Sequence, residues 1–296
     1  DVCSSDLSPP RLGFSVERVN AGVSSQVRAP LVQSMSKEQP RQESAVSKVT
    51  PHKAGEARSP GPTVADTLRA DPLPPPAPLL QSHYEFLGDG DIPFSRYTSR
   101  QFFDREMALL WPRAWQWACR EEHLQEVGDT YVYNVGDYSV IVVRTGADRI
   151  QAFLNTCSHR GTRLLDYEGS GYASGFRCPF HGWSWHLDGA IDNIPGRWDF
   201  PHVDAGTFSL PGLALDTWGG WIFVNADPEA QPLDQYLGSL VEHFERWTPD
   251  TCYKAMHLRK VLHCNWKLAH EAFIESFHTV ATHPQLLPYK IGRAHV

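Results

Sequence analysis

Near residue 100, apolar residues recur at the spacing of an α-helix. Thr98 and Gln101 stand at the N-cap and third positions of a capping box, and Pro112 interrupts the pattern. Four apolar residues between these limits fall on one helix face: Phe103, Met107, Leu110 and Trp111. The pattern therefore predicts an amphipathic helix that begins after Thr98 and ends before Pro112.

From about residue 115 to residue 225, the pattern changes to short apolar runs separated by Gly and Asp. Pairs such as Gly136-Asp137 and Asp188-Gly189 are typical of tight turns between strands. The β-like runs are Thr130–Val135, Tyr138–Arg144, Ile150–Leu154, Trp183–Leu187 and Trp221–Asn225. Many short strands with frequent turns predict a small all-β domain.

Helical spacing returns after the β-like region. Residues 234–247 are predicted to form a helix with Leu237 and Phe244 on its apolar face. A strand-like stretch, Tyr253–Leu262, leads into a second amphipathic helix from about Trp266. This part of the chain therefore predicts a mixed region of helix and sheet.

Composition narrows the class of protein. The 296 residues are 41% hydrophobic and 11% aromatic, which excludes a wholly disordered chain. A net charge of −7 argues against nucleic acid or an anionic membrane as the main partner. We find no apolar run long enough to span a bilayer and no signal-peptide pattern. Six Cys beside 14 His are more typical of metal binding in a reducing compartment, so we expect a cytoplasmic protein.

The first 82 residues differ in composition from the rest. Residues 8–82 contain about half of the chain's 23 prolines and one aromatic residue, Phe14. Such a segment buries too little apolar surface to offset the entropy cost of ordering, so it is predicted to be disordered. The run Pro72–Pro78 predicts an extended linker, and Met35 is a candidate native start.

The two extreme ends are related at the level of DNA. Residues 1–7 and 291–296 can be translated from opposite strands of one sequence, which resembles an adapter used in sequencing libraries. We therefore expect both ends to be non-native and exclude them from fold reasoning. The native part is expected to be a fragment that stops at Lys290 and does not turn over substrate.

The strongest chemical signal is a pair of Cys–His motifs. Cys157 and His159 form a C-x-H motif, and 18 residues later Cys178 and His181 form a C-x-x-H motif. A glycine follows each motif closely, which relieves crowding where two loop tips converge. Two thiolates and two imidazoles suit either zinc or a 2Fe–2S centre. The strand-rich setting favours the iron–sulfur interpretation.

A second candidate metal site lies in the predicted helix after Trp266. Glu271, Glu275 and His278 are spaced to share one helix stripe, and His283 follows five residues later. Both His can reach one metal only if the helix bends or ends between them, and Pro284 is a suitable breaker. Two His and a carboxylate can bind Fe(II) with positions open for O₂. The alternative is a solvated helix with ordinary surface histidines.

Together, the two motifs resemble the α-subunits of Rieske non-heme iron oxygenases, the aromatic ring-hydroxylating dioxygenase family. Residues 178–183, Cys-Pro-Phe-His-Gly-Trp, are close to the second Rieske box, and Asn265–Pro284 is similar to the motif of the catalytic domain. The resemblance covers roughly residues 84–290. It implies an α+β fold with a small all-β Rieske domain and the beginning of an antiparallel-sheet-and-helix catalytic domain.

The resemblance implies the ligands of a 2Fe–2S cluster. Cys157 and Cys178 would hold one iron, and His159 and His181 would hold the other. Two neutral imidazoles on one iron raise the reduction potential above that of four-Cys ferredoxins.

The resemblance also implies a mononuclear Fe(II) bound by His278 and His283, with a third carboxylate ligand far downstream. Glu275 would be the catalytic acid that links His278 to the equivalent of His181 in a neighbouring subunit. The family usually has Asp there, so Glu changes the geometry of that link. Glu271 would support the site.

These features predict the following organisation: 1–7 adapter-derived; 8–82 a disordered Pro-rich head; 83–114 an N-terminal helical segment; 115–226 the Rieske 2Fe–2S domain; 227–290 the truncated start of the mononuclear-iron domain; 291–296 adapter-derived.

The implied function is aromatic hydrocarbon oxidation. Electrons from NAD(P)H would arrive through a separate reductase or ferredoxin, and the iron would activate O₂ to hydroxylate a small organic substrate. The implied assembly is a homotrimer, with or without β-subunits. Alternatives are a Rieske monooxygenase or demethylase acting on N- or O-methyl compounds, an electron carrier, a structural zinc module and an inactive fragment.

Overall fold

The computed structural model describes residues 64–80, 87–88, 90–275 and 277–289. Helices lie at both ends of this range, and strands fill its middle. The α-helices are α1 (Val64–Arg69), α2 (Ala77–Leu80), α3 (Ser95–Thr98), α4 (Arg100–Leu109), α5 (Leu233–Leu237), α6 (Ser239–Glu245), α7 (Trp266–Ile274) and α8 (Phe277–Thr282). Short 3₁₀ helices occupy Trp111–Arg113, Glu121–His123, Arg197–Asp199, Pro249–Thr251 and Pro284–Tyr289.

Within the described residues, ten short strands form three antiparallel sheets. The strands are β1 (Gln116–Arg120), β2 (Asp129–Val135), β3 (Tyr138–Gly146), β4 (Arg149–Leu154), β5 (Gly169–Tyr172), β6 (Phe176–Arg177), β7 (Ser184–Trp185), β8 (Ile191–Asn193), β9 (Ala214–Trp218) and β10 (Trp221–Asn225). Their orders are β4-β3-β2-β5, β1-β10-β9 and β6-β7-β8. The predicted α+β class is confirmed, with strands concentrated in one all-β region.

Strand β3 lies between two hydrophobic cores. Residues 140–143 are all buried, and successive side chains of a strand point to opposite faces. Ile141 and Val143 therefore join one core with Phe176 and Trp185, while Val140 and Val142 join a second core with Ile222 and Val224. The first core also contains Cys157, Cys178 and Trp183, so the first Cys–His loop pair is built on its surface.

The helix predicted after Thr98 is present, but its cap is Ser99. The Ser99 side chain accepts a hydrogen bond from the backbone N–H of Phe102 at 3.2 Å. Thr98 instead ends α3 and donates its hydroxyl to the carbonyl of Phe94. The predicted capping box at Thr98 is wrong because the preceding turn of helix already occupies that residue.

The second predicted helical region contains an interruption. A helix was predicted over 234–247, whereas α5 and α6 are separated at Gly238, whose φ is 54° and ψ is −128°. Few residues other than Gly adopt this backbone conformation, and it interrupts the helix. The helical spacing of apolar residues in the sequence nevertheless continues across the interruption.

The strand predicted over Tyr253–Leu262 is not formed. This stretch is exposed and has no strand partner within the described residues. Its first residues are tied to the β-domain, because Lys254 N–H donates to the Glu122 carboxylate at 3.0 Å. A β-strand needs a neighbour for its backbone groups, so β-like composition alone does not produce one.

Two short helices, α1 and α2, lie inside the stretch 8–82 that was predicted to be disordered. Asp71 between them forms an ion pair with Arg246 at 3.3 Å, and Pro74–Pro76 lie beside Arg246 and His243. The backbone N–H of Leu73 and the Arg246 guanidinium hold the pKa of Asp71 below its usual value. Composition did not reveal this contact because Arg246 is distant from Asp71 in the sequence. The rest of the predicted disordered segment up to residue 63 lies outside the described residues.

None of the helices in the described ranges combines the length and apolar character required to cross a bilayer.

Deletion of residues 1–80 is expected to change the free energy of unfolding of the β-domain by less than about 1 kcal/mol. The Asp71–Arg246 pair is partly exposed, and such pairs contribute little. Urea unfolding of the shortened and full chains, followed by Trp fluorescence, tests this. A loss of several kcal/mol would show that the head packs against the core.

Candidate functional site

The first Cys–His motif lies in a tight loop after β4. The Cys157 N–H donates to the Thr162 carbonyl at 2.8 Å, and the Gly161 N–H donates to the Cys157 carbonyl at 2.8 Å. Gly161 has a φ of 74°, a left-handed conformation that side chains disfavour. The loop therefore closes on itself and turns Cys157 and His159 toward one side.

The second motif repeats this geometry between β6 and β7. The Cys178 N–H donates to the Trp183 carbonyl at 2.8 Å, and the Gly182 N–H donates to the Cys178 carbonyl at 3.1 Å. Gly182 has a φ of 72°, close to that of its counterpart. Two loops with the same internal hydrogen bonds thus present the same pair of residue types.

The structure brings the two cysteines together. Cys157 and Cys178 are each 2% exposed and lie in the same hydrophobic core, where each affects the pKa of the other. Burial raises the pKa of Cys157. Burial also acts to raise the pKa of Cys178, but backbone N–H groups of His181 and Phe180 donate to its sulfur and hold the pKa below its ordinary value. Backbone donors of this kind stabilise a thiolate.

The two imidazoles also meet. The ring centroids of His159 and His181 are 4.7 Å apart. Nδ1 of His159 is buried and has no hydrogen-bond partner among the described residues. Burial lowers the pKa of His159, and nearby His181 and Arg160 lower it further. These influences favour the neutral ring, the form in which an imidazole binds a metal.

Asn155 fixes the first loop to the main sheet. Its amide nitrogen donates to Ser139 Oγ at 3.1 Å and to the Leu165 carbonyl at 2.8 Å. Its amide oxygen accepts from the backbone N–H groups of Leu164 and Leu165 at 3.1 and 2.9 Å. Asn155 is 4% exposed, so these bonds replace water for buried backbone groups. Sequence reasoning missed this residue; an Asn ending a strand just before the Cys motif was its only signal.

The second candidate site is also assembled, although not on one straight helix. The prediction of a continuous helix from Asn265 to His278 is wrong, because α7 ends at Ile274 and Glu275 is extended, with a φ of −132° and a ψ of 160°. The Glu275 carboxylate accepts from the backbone N–H of His278 at 3.3 Å and also contacts His278 Nδ1. The break therefore turns Glu275 back onto the first turn of α8.

His278 and His283 lie on the same side of this turn. Their ring centroids are 5.4 Å apart and their planes are nearly perpendicular. The helix end that the two-His interpretation required is present, because α8 ends at Thr282, between the two histidines; the break at Glu275 is a separate one that precedes His278. Within the described ranges, no set of three or more His, Cys, Asp or Glu side chains surrounds a single point suited to one metal ion.

Helix α7 is anchored to the N-terminal helices through polar contacts. The Asn265 side chain caps α7 by accepting from the Lys267 N–H, and it also donates to the Tyr97 carbonyl at 3.0 Å. Lys267 forms a mostly buried ion pair with Glu106 at 2.7 Å. Glu271 accepts from the Tyr97 hydroxyl at 2.9 Å. Glu271 is thus placed to hold α7 in position rather than to contact His278.

The two candidate sites are separate within this chain. The ring contacts of His181 are with His159 and Phe180, whereas His278 contacts Glu275 and His283. His181 is exposed at the tip of its loop.

Comparison with protein families matches both regions. Residues 114–204 match the Rieske [2Fe-2S] domain, and residues 239–294 match the ring hydroxylating alpha subunit (catalytic domain). The chain thus contains a Rieske iron–sulfur domain.

Curated relatives that match the chain include subunits of oxygenases. The chain is 31% identical to benzene 1,2-dioxygenase subunit alpha of Pseudomonas putida over 63% of this chain and 42% of that protein. It is 30% identical to the glycine betaine monooxygenase oxygenase subunit of Chromohalobacter salexigens over 68% of this chain and 44% of that protein. The chain therefore spans about two fifths of the length of these relatives.

Solved structures of oxygenases are also similar to this chain. A quaternary ammonium Rieske monooxygenase in complex with L-carnitine matches with a TM-score of 0.60 and 26% identity, covering 66% of this chain and 56% of that one. Naphthalene 1,2-dioxygenase from Rhodococcus sp. matches with a TM-score of 0.58 and 26% identity, covering 69% of this chain and 48% of that one. The predicted resemblance to the α-subunits of Rieske oxygenases is thereby confirmed.

Substitution of Asn155 by Ala is expected to destabilise the β-domain by at least about 3 kcal/mol, because it leaves several buried backbone groups of the first loop without partners. Urea unfolding measures the loss. Asn193→Ala, at an exposed position of β8, is the control and should change little. Equal stability of the two variants would show that the loop does not depend on Asn155.

Proposed function

We propose that this chain is part of the α-subunit of an oxygenase that carries a 2Fe–2S cluster and a mononuclear Fe(II) site. The observation that carries the proposal is the pair of matching loops, which place two buried thiols together and two imidazoles together. The pairing of Glu275, His278 and His283 after the break in α7 supports the second centre.

The residues of the first site fit a 2Fe–2S cluster. Cys157 and Cys178 supply a thiol pair already surrounded by backbone donors, and His159 and His181 supply the imidazole pair. The buried Nδ1 of His159, without a protein partner in the described residues, is suited to bind iron. When bound, the two centres supply one-electron transfer and a site for O₂ activation.

The second site supplies two of the protein ligands proposed for a mononuclear iron. Glu275 holds Nδ1 of His278, which fixes the tautomer and leaves Nε2 for the metal. His283 supplies the second imidazole. The family resemblance implies a third, carboxylate ligand, and no described residue is placed for that role.

Glu275 has a second proposed role, as a link to another subunit. His181 and Phe180 are exposed at the tip of the second loop, where a neighbouring subunit can reach them. In the proposed trimer, Glu275 of one subunit hydrogen-bonds His181 of the next, so the two centres that cooperate lie in different chains. A ferredoxin or reductase that draws on NAD(P)H is the proposed electron source.

Two substrate classes are open to this site. Hydroxylation of an aromatic compound is the first, as the names of the dioxygenase relatives indicate. Monooxygenation of a quaternary ammonium compound is the second, and it is favoured by the glycine betaine monooxygenase relative and by the carnitine-bound structure. For the complete oxygenase supplied with its electron donor, mass spectrometry of products formed under ¹⁸O₂ distinguishes dioxygenation from monooxygenation, because dioxygenation places both labelled atoms in one product.

The protein purified without oxygen is expected to contain two iron atoms and two sulfides in the first site. Cys157→Ala should abolish the sulfide and the EPR signal of the reduced protein, because it removes one of four proposed ligands. Cys119→Ala is a matched control, since Cys119 is equally buried but lies in the second core. Burial raises the pKa of Cys119 to about 12, so this thiol stays protonated.

Stoichiometric zinc without sulfide would overturn the cluster assignment and favour a structural zinc module. A cluster without any metal bound at His278 and His283 would instead favour an electron carrier.

Glu275→Gln is expected to weaken binding of Co(II), a probe for Fe(II), at the second site by about tenfold. The neutral amide holds His278 Nδ1 less firmly than the carboxylate does. Calorimetric titration of the cluster-loaded chain measures the affinity, and absorption of the 2Fe–2S centre confirms that the first site is intact.

Two further variants make this measurement decisive. His278→Ala should remove the binding, and Glu245→Gln, an exposed acid on α6, should leave it unchanged. Co(II) binding that survives His278→Ala would show that the metal binds elsewhere.

A further inference from the structure

The two imidazoles of the first site have different surroundings. The ring of His159 stacks on the indole of Trp183, with centroids 4.6 Å apart and planes 3° from parallel. Phe200 meets the same imidazole edge-on at 5.7 Å. His159 is therefore held by aromatic contacts on its face and at its edge.

Trp183 is itself held firmly. It is 3% exposed and lies in the first core. Phe200 and Phe208 pack against its indole nearly edge-on, with centroids 5.0 and 6.0 Å away. A ring packed in this way has little freedom to rotate, so it provides a fixed surface for the imidazole.

Trp183 also connects the two loops. Its backbone carbonyl accepts the hydrogen bond from Cys178 N–H that closes the second loop, while its side chain stacks on His159 from the first loop. A displacement of either loop would therefore disturb a contact made by the same residue.

His181 has no comparable support among the described residues. Its ring is exposed and lies at 3.9 Å from Phe180, which is itself 62% exposed and tilted by 39°. The difference between the two imidazoles is thus one of packing: His159 is held by the core and His181 by the loop tip alone.

We propose that Trp183 is a positioning residue for His159: its indole fixes the plane of this ligand against the core and thereby makes the two histidine ligands of the cluster inequivalent. The inference rests on the proposed function, because it concerns the histidine side of the 2Fe–2S centre. Loss of the indole should release His159 to rotate about its side-chain bonds. The orientation of the imidazole relative to its iron, and with it the electronic environment of the cluster, should then change.

The test compares Trp183→Leu with Trp185→Leu. Trp185 is a matched control, since it is 1% exposed, belongs to the same core and has a ring contact with Trp183 but none with either imidazole. Both variants lose an indole from one core, so a general effect of poorer packing should appear in both. Each is purified without oxygen and checked for iron, sulfide and secondary structure.

Two measurements detect a change at His159 in the cluster. Pulsed EPR of the reduced cluster measures the ¹⁴N couplings of the two histidines, and a redox titration measures the one-electron equilibrium. Trp183→Leu is expected to change one of the two ¹⁴N couplings and to shift the equilibrium constant for reduction by about threefold to tenfold. Trp185→Leu is expected to leave both unchanged, and Trp183→Phe should restore most of the wild-type behaviour because it keeps an aromatic face.

Identical spectra and potentials for Trp183→Leu and the wild type, with the cluster intact, would overturn the positioning role. Equal changes in Trp183→Leu and Trp185→Leu would overturn it as well, since packing alone would account for them. Absence of sulfide from the wild-type protein would instead refute the proposed function, so the two failures are distinguishable. If Trp183→Leu does not fold, Trp183→Met takes its place, since it fills much of the same space without an aromatic face, and unchanged ¹⁴N couplings in that variant would overturn the inference.

Discussion

The candidate cluster site depends on the hydrogen bonds that Asn155 makes to the first loop. A loop that carries a buried thiol and a partly buried imidazole also carries backbone groups that water cannot reach. Asn155 satisfies three of them and is connected through Ser139 to the start of β3. The internal hydrogen bonds of the second loop repeat those of the first. The short sheet β6-β7-β8 is therefore sufficient to place the second loop beside the first.

The second site depends on a different part of the chain. Helix α7 is fixed by contacts that reach back to Tyr97 and Glu106, which precede the β-domain. The position of Glu275 and His278 after the end of α7 therefore follows from the packing of the N-terminal helices. One chain thus builds two sites on two independent supports, a sheet for the thiols and a helix pair for the histidines.

The sequence predicted which candidate residues lie together better than it predicted the local backbone geometry around them. The spacing of Cys157, His159, Cys178 and His181 was sufficient to place all four on two loops, because each motif is short and its glycine restricts the turn. The strands from β2 to β4 and β10 were also predicted nearly residue by residue, since a short apolar run bounded by turn residues is a local signal. The interruption at Glu275 was not predicted, because its stripe of acidic and His residues continues the helical spacing across the break. Asn155 and the Asp71–Arg246 pair were missed because their partners are known only from the folded chain.

The exposed stretch Tyr253–Leu262 has a consequence for how the protein behaves in concentrated solution. Its apolar side chains include Leu258 at 84% exposure and Val261 at 75%, and its backbone has no strand partner in the described part of the chain. Exposed apolar segments without a strand partner are templates for pairing with a strand from another molecule. At the high concentrations that pulsed EPR requires, self-association through this stretch competes with the monodisperse state. Arg259 is paired with Glu168 at 2.8 Å, so Lys254 and Lys260 supply the charge repulsion that opposes self-association at low ionic strength.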